Sequence, residues 1–171
     1  MLEKLKRRSI KKCIDQYVAS RDTSGRNSPL QTLGILVDES LIPDLYMFDD
    51  LPAKLNVHPN KFRLFSFLEV KKKLPSIRQN QINNKDFSFK GQVKNNNALE
   101  FVEFPFDVLI GYYRDKNVFL DQLMAMSKAR FKVGFKGGDS RLFDLILEQP
   151  PEDFKLFKKE LKKYLQILNK I

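Results

Sequence analysis

An α/β domain with a mainly parallel sheet of about five strands and helices on both faces is the fold class that this 171-residue chain predicts. Three observations carry that expectation. An apolar run, Phe106-Asp107-Val108-Leu109-Ile110-Gly111-Tyr112-Tyr113, passes through Arg114-Asp115-Lys116-Asn117 into a helix-like segment at 118–129. Two short apolar runs follow, at 131–135 and 142–147. Strand, helix and strand within about 30 residues is the spacing of a βαβ crossover, which makes neighbouring strands parallel. Finally, Thr32-Leu33-Gly34-Ile35-Leu36-Val37 is apolar almost without a break, as a strand covered on both faces must be. Such sheets take their ligands in the crevice beyond the carboxyl ends of the strands, so the residues that follow each strand are the candidates.

The elements follow in order. Segment 2–20 places Ile10, Cys13, Ile14, Tyr17 and Val18 on one helical stripe, with Lys4, Lys6, Arg7, Arg8, Lys11 and Lys12 on the remaining surface. Residues 1–27 therefore read as a basic amphipathic helix and linker, and 28–171 as the α/β domain. The first strand, at 32–38, ends in Asp38-Glu39-Ser40, and 43–55 reads as a helix. His58-Pro59-Asn60 turns the chain into a second strand at 62–68. Residues 71–97 read as a long exposed loop with Phe87-Ser88-Phe89 as an edge strand or flap. Asn97 and Glu100 have capping-box spacing and open a short helix. Strands at 106–112, 131–135 and 142–147 complete the sheet, for which the order 3-2-1-4-5 is expected. Pro150-Pro151-Glu152-Asp153 then begins a helix at about 151–169 with Phe154, Phe157, Leu161, Tyr164, Leu165 and Leu168 on its apolar face.

Composition limits the function classes. The 31 basic and 21 acidic side chains leave a formal charge of +10, which favours an anionic partner such as nucleic acid, a nucleotide or an acidic membrane surface. The excess sits at the ends: residues 1–12 hold six basic side chains against one acidic, and 154–171 hold six Lys against one Glu. Equally, those charges could be solvated helix faces. No run of 18 apolar residues exists, the first residues lack the apolar core of a secretory signal, and Cys13 is alone, so the expected compartment is the cytoplasm.

Chemistry is harder to find. Asp38, Glu39 and Ser40 stand where a doubly wound sheet presents groups to a ligand, and Asp38 could serve as a general base or simply cap a helix. They also replace the glycines that a phosphate loop needs, and neither G-x-G-x-x-G nor G-x-x-x-x-G-K-[ST] occurs, which argues against an ordinary dinucleotide or ATP site. Lys136, Gly137, Gly138 and Arg141 could form an anion-binding nest or an ordinary glycine turn. Tyr112, Tyr113 and Arg114 combine stacking surfaces with a guanidinium, as base-binding sites do. One histidine, His58, and one cysteine cannot supply a zinc site or a serine-hydrolase triad, so no metal, no cofactor and no catalytic set is expected.

Three stretches resemble an uncharacterised family from Flavobacteria and related bacteria: Phe106 to Tyr113, Ser127-Lys128-Ala129-Arg130-Phe131-Lys132-Val133-Gly134-Phe135, and the ending Glu160 to Ile171, together with Leu33-Gly34-Ile35-Leu36-Val37-Asp38-Glu39. The resemblance implies a member of similar length and carries no catalytic residues. Phe106 to Ile110 and Phe131 to Phe135 also look like the layout of the N-terminal Rossmann-like half of lipopolysaccharide heptosyltransferases. That likeness implies a Rossmann-like fold but no transferase in this chain, since those enzymes place a glycine-aspartate pair after the first strand, where this chain has Val37-Asp38, and keep their nucleotide-sugar site mainly in a second domain. The expected function is a binding protein for an anionic partner, RNA or a ribonucleoprotein. The alternatives are a small-molecule or nucleotide-sugar enzyme using Asp38, and an adaptor whose terminal helices dock on another protein.

Overall fold

The computed structural model describes residues 1–75 and 78–171; residues 76 and 77, inside the expected loop, lie outside the described residues. Among the described residues six strands form one parallel sheet: β1 (Leu33–Asp38), β2 (Phe62–Leu68), β3 (Gln81–Asn83), β4 (Val108–Tyr112), β5 (Lys132–Phe135) and β6 (Leu145–Leu147), in the spatial order β3-β2-β1-β4-β5-β6. The α/β expectation holds, with six strands instead of five. The segment at 106–112 lies beside β1, and the place outside β2 belongs to a strand in the stretch read as loop. Only Ile82 of β3 is apolar, yet Gln81, Ile82 and Asn83 are all buried. Gln81 Nε2 donates to Glu39, and Asn83 caps the turn behind it through Lys85 N, so polar side chains are satisfied internally and the strand lacks an apolar signature.

Among the described residues five helices cover the sheet: α1 (Leu2–Ala19), α2 (Leu51–Lys54), α3 (Asn96–Glu103), α4 (Val118–Met126) and α5 (Phe154–Ile167). Alternation along the strands divides the core in two. Val108, Ile110 and Tyr112 meet Phe48, Leu51, Phe157, Leu161 and Leu165 on one face. Leu109 and Tyr113 meet Ile10, Ile14, Phe101, Phe119 and Leu123 on the other. Helix α1 is thus packed into the body against α4, with Lys6, Ile10 and Ile14 buried. The expected helix at 43–55 is instead a turn at Leu45–Phe48 capped by Asp44, then the four-residue α2. Pro52 explains the break, since it has no N–H to extend a helix from Phe48. Helix α3 is capped by Asn95, whose side chain accepts from Ala98 N at 3.0 Å, and not by Asn97.

Two carboxylates lock the amino ends of the strands. Asp107 accepts from Gln31 N, Thr32 N, Thr32 Oγ1 and Arg130 at 2.8–3.0 Å. Asp144 accepts from Arg21, Arg26 and Lys132 N. These acids are structural and leave the opposite rim for ligands. Among the described residues no helix is long and apolar enough to cross a membrane.

Candidate functional site: the carboxyl rim of the sheet

All six strands point their carboxyl ends at one rim. Register pairs Val37 with Tyr112 and Ile110 with Val133, so Asp38 comes level with Tyr113 one residue beyond the first pair, and Tyr113 with Lys136 three residues beyond the second. The three do not converge on one centre. Asp38 Oδ1 accepts from Ser40 N at 3.0 Å and Ser40 Oγ at 2.8 Å, which caps a short turn at Glu39–Leu41. Glu39 Oε1 accepts from Ser66 Oγ at 2.6 Å, Gln81 Nε2 at 2.9 Å and the Arg78 guanidinium. Burial pushes the Glu39 carboxyl up, but these donors outweigh it and hold the group below the usual range. Glu39 therefore ties β1 to β2 and β3.

Successive residues of β4 part company. Tyr112 is enclosed by Phe48, Phe135, Phe154 and Phe157, its hydroxyl donating to the Pro151 carbonyl. Tyr113 turns to the α4 face, where its hydroxyl donates to Asp121 Oδ1 at 2.6 Å. Arg114 pairs with Glu152 and Lys136 with Glu148, all four in solvent or half-exposed. Gly137 holds φ +99°, and a Cβ there would lie 2.5 Å from Asp115 Oδ1. The Asp115 carboxylate of the chain itself thus lies against the glycine turn, while Gly138 N donates to Phe135 O at 3.3 Å. Arg141 binds Asp139 through Nε and Nη2 and reaches Asp15 of α1 with Nη1 at 3.0 Å.

Between α1 and the loops after β4 and β5 lies a cavity of about 450 Å³. Its charged lining is Arg7, Lys11 and Asp15 from α1, Lys116 and Asp121 around the start of α4, and Asp139 with Arg141; Ile14 and Val118 supply apolar wall. Arg141 is neutralised by its two carboxylates. Arg7 lies 5.1 Å over the Phe119 ring and 3.6 Å from Glu69. Lys11 and Lys116 form no ion pair among the described residues. Asp121 is 5 % exposed, and its Oδ1 accepts from Tyr113 Oη at 2.6 Å. Burial, then the nearby Asp139 carboxylate, push the Asp121 carboxyl up to about 6, against the pull of Tyr113, the Asn117 turn and Lys116.

Of the basic residues expected to meet an anionic partner, Arg7 and Lys11 line this cavity, while Lys4, Arg8 and Lys12 are exposed and do not line it. Lys6 turns inward, its ammonium donating to the Asn84 carbonyl at 2.6 Å. Sequence reasoning passed over Asp121 and Lys116. A signal for Asp121 existed: α4 reads Val118-Phe119-Leu120-Asp121-Gln122-Leu123-Met124-Ala125, and an acid within an almost wholly apolar helix is a buried acid.

Among the described residues no group of three or more His, Cys, Asp or Glu side chains is placed to hold a metal ion. No curated protein and no solved structure matches the chain. Residues 4–168 do match one family profile, and among the described residues they take in all six strands and the five helices except for the first two residues of α1. The chain belongs to the family of unknown function DUF6913.

Proposed function

We propose that this protein binds a phosphate-bearing anion in the crevice between α1 and the loops that follow β4 and β5. One observation carries the reading: Lys11 and Lys116, without internal partners among the described residues, border a cavity of about 450 Å³ at the carboxyl rim of a parallel sheet. The volume is that of small-ligand sites, the location is where such sheets bind, and the net charge of +10 raises the local concentration of anions. The cytoplasm is the compartment this reading proposes. Calorimetric titration of the full chain with pyrophosphate tests it. Combined Lys11→Ala and Lys116→Ala should weaken binding roughly tenfold or more, about 1.4 kcal/mol. Equal affinity in the double variant would sink the proposal.

A second reading, RNA along the opposite face, rests on α5. Lys155, Lys159 and Lys162 stand exposed beside Lys54 and the half-buried Phe154, bordering a separate groove. Polyanion binding there should fall steeply with salt as phosphate contacts release counterions. Lys159→Glu with Lys162→Glu should abolish it and leave pyrophosphate titration unchanged.

A further inference from the structure

We infer that the first three turns of α1 dock this protein on an anionic membrane surface, Leu2 and Leu5 entering between the headgroups while Lys4, Arg8 and Lys12 meet lipid phosphates. This surface is separate from the crevice. Along α1, Lys6, Ile10 and Ile14 recur every four residues and are buried in the body. Lys4, Arg8 and Lys12 recur at the same spacing two residues earlier, about 200° round the helix, on its outer side. All three are exposed and form no ion pair among the described residues. The acids of the helix are engaged elsewhere: Glu3 lies 4.0 Å from both Lys6 and Lys85, and Asp15 meets Arg141 at 3.0 Å.

Apolar side chains stand among these cations. Leu2 is 72 % exposed and Leu5 48 %. Next to them Arg7 lies 3.6 Å from Glu69, after which Lys71, Lys72, Lys73 and Leu74 follow, all exposed. Lys73 is four residues from Glu69, so the chain holds its Cα within about 14 Å of that residue. Single exposed leucines are ordinary, but leucines grouped within a basic cluster mark a contact surface. RNA would satisfy the cations and leave the leucines against phosphate and sugar. A bilayer interface serves both, with anionic headgroups for the cations and acyl carbon beneath them for the leucines. Each signal is weak alone, and the two together give stable attachment.

Co-sedimentation of the full chain tests this, with vesicles of phosphatidylcholine alone and of phosphatidylcholine with one third phosphatidylglycerol. The mixed vesicles should bind the chain at least roughly a hundredfold more tightly. Equal partitioning, or none, overturns the proposal. Combined Lys4→Gln, Arg8→Gln and Lys12→Gln should weaken attachment to the mixed vesicles roughly a hundredfold. Leu2→Gln with Leu5→Gln should weaken it roughly tenfold or more. Full binding by the leucine variant would make the contact one of charge alone, as for a polyanion such as RNA, and would overturn membrane docking. Lys155→Gln, Lys159→Gln and Lys162→Gln together, on α5, should leave attachment within about twofold, since charges remote from the contact are screened. A loss there as large as on α1 would show attraction by net charge and would overturn it too. Lys11 and Lys116 stay in place throughout, so pyrophosphate titration of the same variants reads the crevice separately.

Discussion

Residues 1–12, most of which open α1, and residues 154–171, which contain α5, each hold six basic side chains against one acidic, yet the two helices use their cations differently. On α1 the cations are drawn toward the body: Lys6 is buried on the Asn84 carbonyl, Arg7 covers the Phe119 ring, and Lys11 borders the crevice. On α5 the buried stripe is Phe157, Leu161 and Leu165, so Lys155, Lys159 and Lys162 are left in solvent. The difference lies in the neighbours. Helix α1 lies against α4 and reaches the polar turn behind β3, which offers a carbonyl to an ammonium. Helix α5 packs on an apolar sheet face, beside which Lys158 pairs with Asp50 while Lys155, Lys159 and Lys162 form no ion pair among the described residues. Charge counted along a sequence therefore says how many cations a helix carries, and only the packing says which of them can meet a partner.

The largest test asks whether α1 is as much a part of the fold as α5. Ile10 and Leu161 are both fully buried, one in each face of the core. Ile10→Ala and Leu161→Ala should each cost about 2–5 kcal/mol in urea unfolding, the range for deleting a buried aliphatic side chain. A negligible loss for Ile10→Ala would make α1 an appendage and would remove one wall of the proposed site.

A third kind of lysine sharpens the contrast. Lys132 on β5 is 1 % exposed and donates to the Met124 carbonyl at 2.5 Å. Burial, aided by the Arg21 charge, pushes its ammonium down to about 7, although Asp144 works the other way. The folded chain therefore binds fewer protons here than the unfolded chain between about pH 7 and the ordinary lysine value of 10.5, so this group makes stability rise with pH across that window. Going from pH 7 to pH 9 should add about 2 kcal/mol from Lys132 alone. Lys132→Met should flatten that rise, which unfolding curves of both chains at the two pH values will measure. Parallel pH dependence in the two chains would contradict it.

What the sequence made readable follows from where each signal comes from. The parallel sheet was legible because β1 and β4 are buried on both faces and therefore apolar throughout. Strand β3 was not, because its burial is offset by hydrogen bonds to Glu39 and to its own turn, which long-range contacts create. At the rim, Asp38, Glu39, Tyr113 and Lys136 were correctly placed at strand ends by the βαβ pattern, yet pattern alone could not tell which face each side chain would take. Tyr112 and Tyr113 differ by one position and end on opposite sides of the sheet. Lys11 and Lys116 are 105 positions apart in sequence, and their meeting at one cavity depends on how α1 docks, which no local pattern encodes.

The smallest effects test the comparison between the two basic helices most directly. In Lys6→Met the stem keeps its volume, but the Asn84 carbonyl loses its 2.6 Å donor, a loss of about 1–3 kcal/mol for a buried polar group left unpaired. Part of that is returned, because burial and the neighbouring Lys85 and Arg7 charges hold the Lys6 ammonium below its usual range, so removing the charge relieves a cost. A net loss near the lower end of that range should appear in urea unfolding at pH 7. Lys159→Met on α5 takes away an exposed ammonium with no ion-pair partner among the described residues, and should change stability by less than about 0.5 kcal/mol. Should the two substitutions cost the same, the Lys6 bond would have no measurable weight, and α1 would carry its cations as loosely as α5 does.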